Sequence, residues 1–67
     1  MPFIQITIVE GRSPEKKEEL IAELTETVNR VIDAPRETIR VMINEIPDSH
    51  WGIAGQSIAK RKQLQKG

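Results

Sequence analysis

Three residues carry groups that could act chemically on an anionic molecule: Pro2, Arg12 and Arg40. If Met1 is removed, the ring nitrogen of Pro2 becomes a free secondary amine, which can accept a proton and return it. A guanidinium group binds a carboxylate through two parallel hydrogen bonds. Since Arg12 follows the apolar segment that begins at Pro2, the sequence predicts a base beside a carboxylate-binding group.

A proline amine serves as a base only if it is neutral at the working pH. A reference α-amine titrates at about pH 7.7 to 8.0 and a secondary amine is more basic, so an unassisted Pro2 would be mostly protonated. Burial among apolar side chains and the positive charge of nearby arginines are expected to lower its pKa. One cation about 6 Å away contributes roughly 2.8 kcal/mol at an effective dielectric constant near 20. We therefore expect the arginines both to bind an anion and to keep the amine neutral.

Hydrophobic periodicity predicts the elements that would position these residues. Residues 3–9 have isoleucine at every second position and are rich in β-branched types, which predicts a strand with two largely apolar faces. Ser13 and Pro14 predict a helix start, because serine caps a helix and proline fits its first turn. Apolar residues at helical spacing extend this helix to about Asp33. Residues 39–46 form the second predicted strand.

A strand, a helix of about twenty residues and a second strand predict a βαβ unit with a right-handed crossover and parallel strands. Beyond it, residues 47–49 predict a turn, and residues 50–55 a short hairpin or extended arm. Ser57 is expected to cap a last helix over residues 58–64. The predicted fold class is therefore α/β (α+β), with a single domain over residues 1–67.

Arg40 and Trp51 each allow two interpretations. Arg40 lies among apolar residues on one face of the second strand, which suits an inter-subunit ion pair as well as an anion-binding site. Trp51 is the only large aromatic residue besides Phe3. It would either fill a contact between subunits or form the wall of a pocket.

Length and composition narrow the class of protein. A lone chain of 67 residues buries little apolar surface, and without cysteine no disulfide is available, so oligomerisation is expected. The sequence contains no segment of transmembrane length and no signal-peptide pattern, which predicts a cytoplasmic protein without a membrane partner. Residues 1–48 hold six Lys/Arg against ten Asp/Glu, and residues 49–67 hold four against none. Four basic charges without interleaved aromatics are a weak basis for nucleic-acid binding, and none is expected.

One group of side chains was considered as a metal site. Glu45, Asp48 and His50 lie close together in the sequence. Turns rich in such residues are usually only hydrated, so neither a metal nor a cofactor is expected.

Several landmarks together resemble the 4-oxalocrotonate tautomerase family. They are Met-Pro before an apolar strand, Glu10-Gly11-Arg12-Ser13, Asp33-Ala34-Pro35, Ile39-Arg40-Val41 and His50-Trp51-Gly52-Ile53-Ala54-Gly55. The resemblance spans nearly the whole chain, at the family's characteristic length. It implies a homohexamer, a trimer of dimers, whose active sites lie between subunits.

The resemblance also implies roles for the candidate residues. Pro2, freed by removal of Met1, would be the catalytic base. Arg12 would bind the distal carboxylate of the substrate, a mono- or dicarboxylate. Arg40 would hold the carboxylate and the carbonyl oxygen at the other end. Trp51 stands where the family commonly has phenylalanine, so it would keep an apolar wall but alter the volume of the pocket.

Two further positions, Val9 and Thr38, match secondary pocket residues of that family. The implied activity is keto-enol tautomerisation of a 2-hydroxydienoate such as 2-hydroxymuconate, without a cofactor, as in the catabolism of aromatic hydrocarbons. Pro2 would take the hydroxyl proton and deliver it to a distal carbon, while Arg40 stabilises the charge developing on oxygen.

Two alternatives stay open at the level of the sequence. A hydratase or dehalogenase on the same fold would use a protonated Pro2 as an acid and a further carboxylate to activate water. Glu10 is the only acid near the end of the first strand, and it suits a solvated turn. A non-catalytic oligomeric binding module would instead place Arg12 and Arg40 in interface ion pairs.

Overall fold

The computed structural model describes residues 2–65, except for the side chain of Gln65. The helices and strands, in chain order, are β1 (Phe3–Val9), α1 (Pro14–Ile32), β2 (Arg40–Ile46), β3 (Gly52–Ile53), β4 (Gln56–Ser57) and α2 (Ile58–Gln65). Two 3₁₀ turns complete the chain, the first at Arg36–Thr38 before β2 and the second at Asp48–His50 after it.

β1 and β2 form the parallel pair predicted from the sequence. Phe3 lies opposite Arg40 and Val9 lies opposite Ile46, so the two strands match along their whole length. Half-buried and exposed side chains alternate over most of both strands, because successive side chains of a strand point to opposite faces. α1 crosses between the strands and contacts β2, which completes the βαβ unit.

The second strand begins one residue later than predicted. Ile39, assigned to it from the sequence, precedes Arg40 and ends the first 3₁₀ turn by donating its backbone N–H to the Arg36 carbonyl at 3.1 Å. Its side chain is only 7% exposed and is the only buried apolar one among residues 2–65. Ile39 therefore joins the loop to the core rather than to the sheet ladder.

Both ends of α1 follow from local chemistry. The Ser13 hydroxyl oxygen accepts a hydrogen bond from the Lys16 backbone N–H at 3.3 Å, which caps the first turn. At the other end Asp33 adopts a left-handed conformation with φ 61°, which stops the helix. The Asn29 side-chain amide donates to the Ala34 carbonyl at 2.8 Å and fastens the departing chain to the helix.

The C-terminal segment is a small unit packed largely on itself. β3 and β4 form the predicted hairpin, and α2 packs against β4 and the second 3₁₀ turn. The Ser57 hydroxyl accepts from the Lys60 backbone N–H at 3.1 Å, as expected for the cap of this helix. An ion pair of 3.2 Å between Lys62 and Asp48 ties α2 to the turn.

A single copy of this chain is extended and leaves much apolar surface uncovered. Its accessible surface is 5201 Å², whereas a compact chain of this mass would expose about 4,300 Å². Its radius of gyration is 15.7 Å, against about 11 Å for a compact domain of this length. Phe3 and Met42 on the sheet are 55% and 45% exposed. Burial of this surface calls for contacts beyond one chain.

Membrane insertion was also considered. Within the part of the chain that the structure describes, no helix combines the length and the apolar character needed to span a bilayer.

Candidate active site

Pro2 and Arg40 meet at the amino end of the parallel sheet. The Arg40 backbone N–H donates to the Pro2 carbonyl at 3.0 Å, and Pro2 itself is half-buried. Met1, whose removal would free the Pro2 nitrogen, lies outside the described residues. The parallel register therefore brings the two residues predicted to be catalytic side by side along the backbone.

The guanidinium of Arg40 is held by the turn that precedes its strand. Its Nη1 donates to the Glu37 carbonyl at 2.7 Å. The neighbouring Thr38 donates its hydroxyl to the Pro35 carbonyl at 2.8 Å, inside the same first 3₁₀ turn. No carboxylate of residues 2–65 forms an ion pair with Arg40. Over the described residues, this cation is oriented by a carbonyl, and no carboxylate neutralises its charge.

Arg12 is held in a similar way at the other end of β1. Its Nη1 donates to the Val9 carbonyl at 2.9 Å. Gly11, with φ 132°, supplies a backbone conformation that favours glycine and lets the chain turn back toward the strand. Over the described part of the chain, Arg12 also forms no ion pair with a carboxylate.

Pro2 and Arg12 of one chain are not neighbours, contrary to the sequence-based expectation of a base beside a carboxylate binder. β1 separates them, and the seven-residue step from Pro2 to Val9 spans about 23 Å at about 3.3 Å per residue. A side chain of arginine cannot bridge that distance. If both residues serve one site, they come from different copies of the chain.

The carboxyl end of the sheet also holds Val9, and Trp51 follows it in the chain. Val9 is half-buried and pairs with Ile46. Trp51, half-buried, lies in the segment that leaves the sheet at this end, between the second 3₁₀ turn and β3. Its carbonyl accepts from the Ile58 backbone N–H at 2.8 Å, which closes the base of the hairpin. The candidate residues thus divide into two sets: Pro2, Thr38 and Arg40 at one end, and Val9, Arg12 and Trp51 at the other.

An open groove of about 500 Å³ lies beside Arg12 along the first half of α1. Its lining residues are Arg12, Lys16, Glu19, Leu20 and Glu23. Lys16 and Glu19 form a loose ion pair of 3.8 Å, so two of these charges partly offset one another. The groove offers Arg12 as an anion-binding group at its edge.

A bidentate ion pair ties the first 3₁₀ turn to α1. Helical spacing favours a pair between Glu26 and Arg30, but Glu26 instead accepts from Arg36, with Nε···Oε2 at 2.6 Å and Nη2···Oε1 at 2.7 Å. These hydrogen bonds lower the pKa of Glu26 and raise the pKa of Arg36. The loop that leads into Arg40 is thereby fixed to the helix by charge.

The carboxylates considered as metal ligands have other partners. Glu45 pairs with Lys17 of α1 at 2.8 Å, and Asp48 pairs with Lys62 of α2. Among residues 2–65, no three potential ligand side chains gather in one place. Both carboxylates therefore act as links between elements.

Sequence reasoning missed the groups that orient the two arginines. Each guanidinium donates to a backbone carbonyl three residues earlier, of Val9 for Arg12 and of Glu37 for Arg40. Every residue has a backbone carbonyl, so the residue types do not show which carbonyl will accept a hydrogen bond. The available signals were indirect: a glycine between strand and arginine in one case, and a proline that opens a tight turn in the other.

Comparison with known proteins identifies the family of this chain. The family model described as "Tautomerase enzyme" matches residues 2–61. A 2-hydroxymuconate tautomerase of Pseudomonas putida is 50% identical over 60 residues, which cover 90% of this chain and 95% of that protein.

Solved structures of tautomerases have the same fold as this chain. A 4-oxalocrotonate tautomerase isozyme of Methylibium petroleiphilum superimposes with a TM-score of 0.91 at 38% identity, covering 94% of this chain and 98% of the other. A heterohexamer 4-oxalocrotonate tautomerase of Chloroflexus aurantiacus gives 0.86 at 38% identity, covering 90% and 97%. With a βαβ fold shared along nearly the full length and a family model that matches most of the sequence, this chain belongs to the tautomerase family of keto-enol isomerases.

Proposed function

We propose that the protein ketonises 2-hydroxymuconate or a closely similar 2-hydroxydienoate, with the amine of Pro2 as general base. The proposal is supported by the way in which the two candidate arginines are hydrogen-bonded. Arg12 and Arg40 are each oriented by a backbone carbonyl, and neither has a carboxylate partner within residues 2–65. Two such cations, one beside Pro2 and one at the far end of β1, suit a substrate with two acidic ends.

The proposed reaction is a proton transfer between oxygen and carbon. Pro2 accepts the hydroxyl proton of the dienol, and an Arg40 guanidinium stabilises the negative charge that develops on that oxygen. The protonated amine then delivers the proton to a distal carbon, which yields the conjugated oxo acid and restores the base. Arg12 binds the distal carboxylate through its planar pair of N–H donors. The residues invoked need no cofactor for this step.

This chemistry requires surroundings that keep the amine of Pro2 neutral. Its half-buried position removes part of its hydration, and positive charge from the arginines disfavours a second cation nearby. Trp51, Val9 and Thr38 are proposed to complete the walls of the pocket. Trp51 offers the largest apolar surface of the three and sets the room available to the substrate.

A complete site of this kind requires assembly. Because Pro2 and Arg12 of one chain are separated by about 23 Å of strand, we propose that each site takes Arg12 from a neighbouring copy. A homohexamer is the proposed assembly, and the related protein of Chloroflexus aurantiacus is described as a heterohexamer. The uncovered apolar side chains of Phe3 and Met42 supply surface for such contacts. A cytoplasmic location and a place in the breakdown of aromatic compounds are further predictions.

The proposal is tested with two preparations of the same chain, distinguished by intact mass: one that begins at Pro2 and one that keeps Met1. In the second preparation the Pro2 nitrogen is an amide and cannot accept a proton. Loss of the dienol absorbance of 2-hydroxymuconate should be fast with the first preparation and at the buffer rate with the second. A first preparation with no rate above buffer would favour a non-catalytic binding module.

A further inference from the structure

We propose that the ion pair between Arg36 and Glu26 is a positioning device for Arg40. Neither residue hydrogen-bonds Pro2 or the Arg40 side chain within residues 2–65, so the proposed effect is indirect. The inference rests on the proposed function, because it assumes that the Arg40 guanidinium stabilises the developing oxyanion.

The ion pair connects the first 3₁₀ turn to α1. Arg36 is the first residue of the first 3₁₀ turn, and both of its hydrogen bonds to Glu26 are short, at 2.6 and 2.7 Å. It is the only two-point ion pair among residues 2–65. A two-point contact between a planar guanidinium and a planar carboxylate fixes orientation as well as distance. The turn therefore has a defined position relative to α1.

A hydrogen bond connects this turn to the side chain of Arg40. The Glu37 carbonyl, one residue beyond Arg36, accepts the hydrogen bond from Arg40 Nη1 at 2.7 Å. The turn is itself closed by the Thr38 and Ile39 backbone N–H groups, at 3.0 and 3.1 Å from the carbonyls of Pro35 and Arg36. A shift of the turn therefore moves the one described acceptor that orients the Arg40 guanidinium.

The ion pair should matter more for the position of Arg40 than for the stability of the fold. Both side chains of the pair are more than half exposed, at 58% and 53%. Exposed ion pairs contribute little to folding, because water screens them and ordering the side chains costs entropy. A catalytic cation, in contrast, is sensitive to small displacements from the charge that it stabilises. Loss of the pair should therefore affect turnover more than folding.

The test uses Arg36→Met and Glu26→Gln, alone and together, in the assembled protein that begins at Pro2. Each single variant should lower kcat about three- to tenfold with KM changed by less than about twofold, a smaller loss than the roughly hundredfold that a 1 Å misplacement can cost. The double variant should lose no more than either single one, because both remove the same contact. Arg36→Lys, which keeps the charge but not the two-point geometry, should recover part of the rate.

Matched controls come from α1 itself. Arg30→Met and Glu18→Gln remove the same charges from exposed positions for which no ion pair occurs within residues 2–65. Both controls should keep kcat and KM within about twofold and the melting temperature unchanged. Equal losses in the controls and in the Arg36 and Glu26 variants would overturn the proposal, as would single losses that multiply in the double variant.

A second readout does not depend on turnover. The Nε–H resonance of Arg40 reports how well its guanidinium is ordered, and it should shift or broaden in Arg36→Met and Glu26→Gln but not in the controls. An unchanged resonance in all variants overturns the positioning role even if the enzyme is active. If the wild-type protein does not ketonise 2-hydroxymuconate, the proposed function fails, while a resonance that changes in the pair variants still supports the structural link.

Discussion

Within residues 2–65, neither Arg12 nor Arg40 has an acidic partner for its charge. Arg36, by contrast, forms an ion pair with the carboxylate of Glu26. Arg12 and Arg40 instead donate to main-chain carbonyls, which orient a guanidinium without cancelling its charge. At the scale of single residues, this contrast distinguishes the cations proposed to bind substrate from the one that fastens a loop.

Truncation of the two arginines should change different kinetic constants. Arg12→Ala removes a carboxylate grip present in substrate and transition state alike, so KM should rise about 10- to 100-fold with kcat little changed. Arg40→Ala removes a donor to the oxygen that becomes charged, so kcat should fall about 100-fold or more. Steady-state kinetics on 2-hydroxymuconate measures both. Equal and trivial effects from both substitutions would contradict the roles assigned to them.

The carboxyl group of Glu26 should titrate below its ordinary range. Its pKa is lowered chiefly by the hydrogen bond from Arg36. Because the folded-state pKa lies below the unfolded one, the contribution of this pair to stability is present above the unfolded pKa and is lost as pH falls through the folded pKa. Side-chain carbon NMR should give Glu26 a pKa below the ordinary value of a glutamate, and Arg36→Met should raise it. A Glu26 value unaffected by Arg36→Met would show that the pair does not form in solution.

At the scale of elements, the C-terminal hairpin contains a residue that fits its conformation poorly. Ala54 has φ 52° and the next residue, Gly55, has φ 84°, so both central residues of the β3–β4 turn are left-handed. Turns of this kind favour asparagine followed by glycine. Ala54→Asn should therefore stabilise the assembled protein, by up to about 1 kcal/mol per chain.

Thermal unfolding at fixed protein concentration measures this change. Ala54→Val is the opposing control, because a β-branched residue tolerates a positive φ less well than alanine, and it should lower the melting temperature. A melting temperature that falls in Ala54→Asn would indicate that the turn has another conformation.

The regular elements could be predicted from the sequence because their signals are local. β1 has the predicted bounds, and α1 begins after the Ser13 cap and ends at Ile32, one residue before the predicted stop near Asp33. Ile39 was misassigned by one residue because alternation alone cannot distinguish the last residue of a buried turn from the first of a strand. Parallel pairing followed from the length of the crossover.

The layout of the site could not be predicted from residue types alone. Arg12 is only ten positions after Pro2 in the sequence. Because most of the intervening residues form an extended strand, the two residues are far apart in space. The partners of Glu26 and of both candidate arginines depend on where loops fold back, and helical or strand periodicity carries no information about that. Only the family resemblance implied that sites lie between subunits.

At the scale of the whole molecule, one copy holds two incomplete halves of the proposed site. Pro2→Ala and Arg12→Ala chains should each be impaired when assembled alone. Mixed assemblies, made by joint refolding, contain some interfaces that bring an intact Pro2 to an intact Arg12, so part of the activity should return. Rates of the mixture no higher than those of the separate variants would show that the two residues act within one chain or in different sites.

A base that removes the proton must itself be neutral, so the pH dependence of kcat/KM distinguishes a neutral Pro2 amine from a protonated one. The protein used is the assembled chain whose intact mass shows that it begins at Pro2, with 2-hydroxymuconate as substrate. Our account predicts that the rate rises with pH through a single ionisation lying below the ordinary pKa of a proline amine and then levels off. A rate that is highest in acid and falls as the amine loses its proton would contradict the account, since Pro2 would then act as an acid.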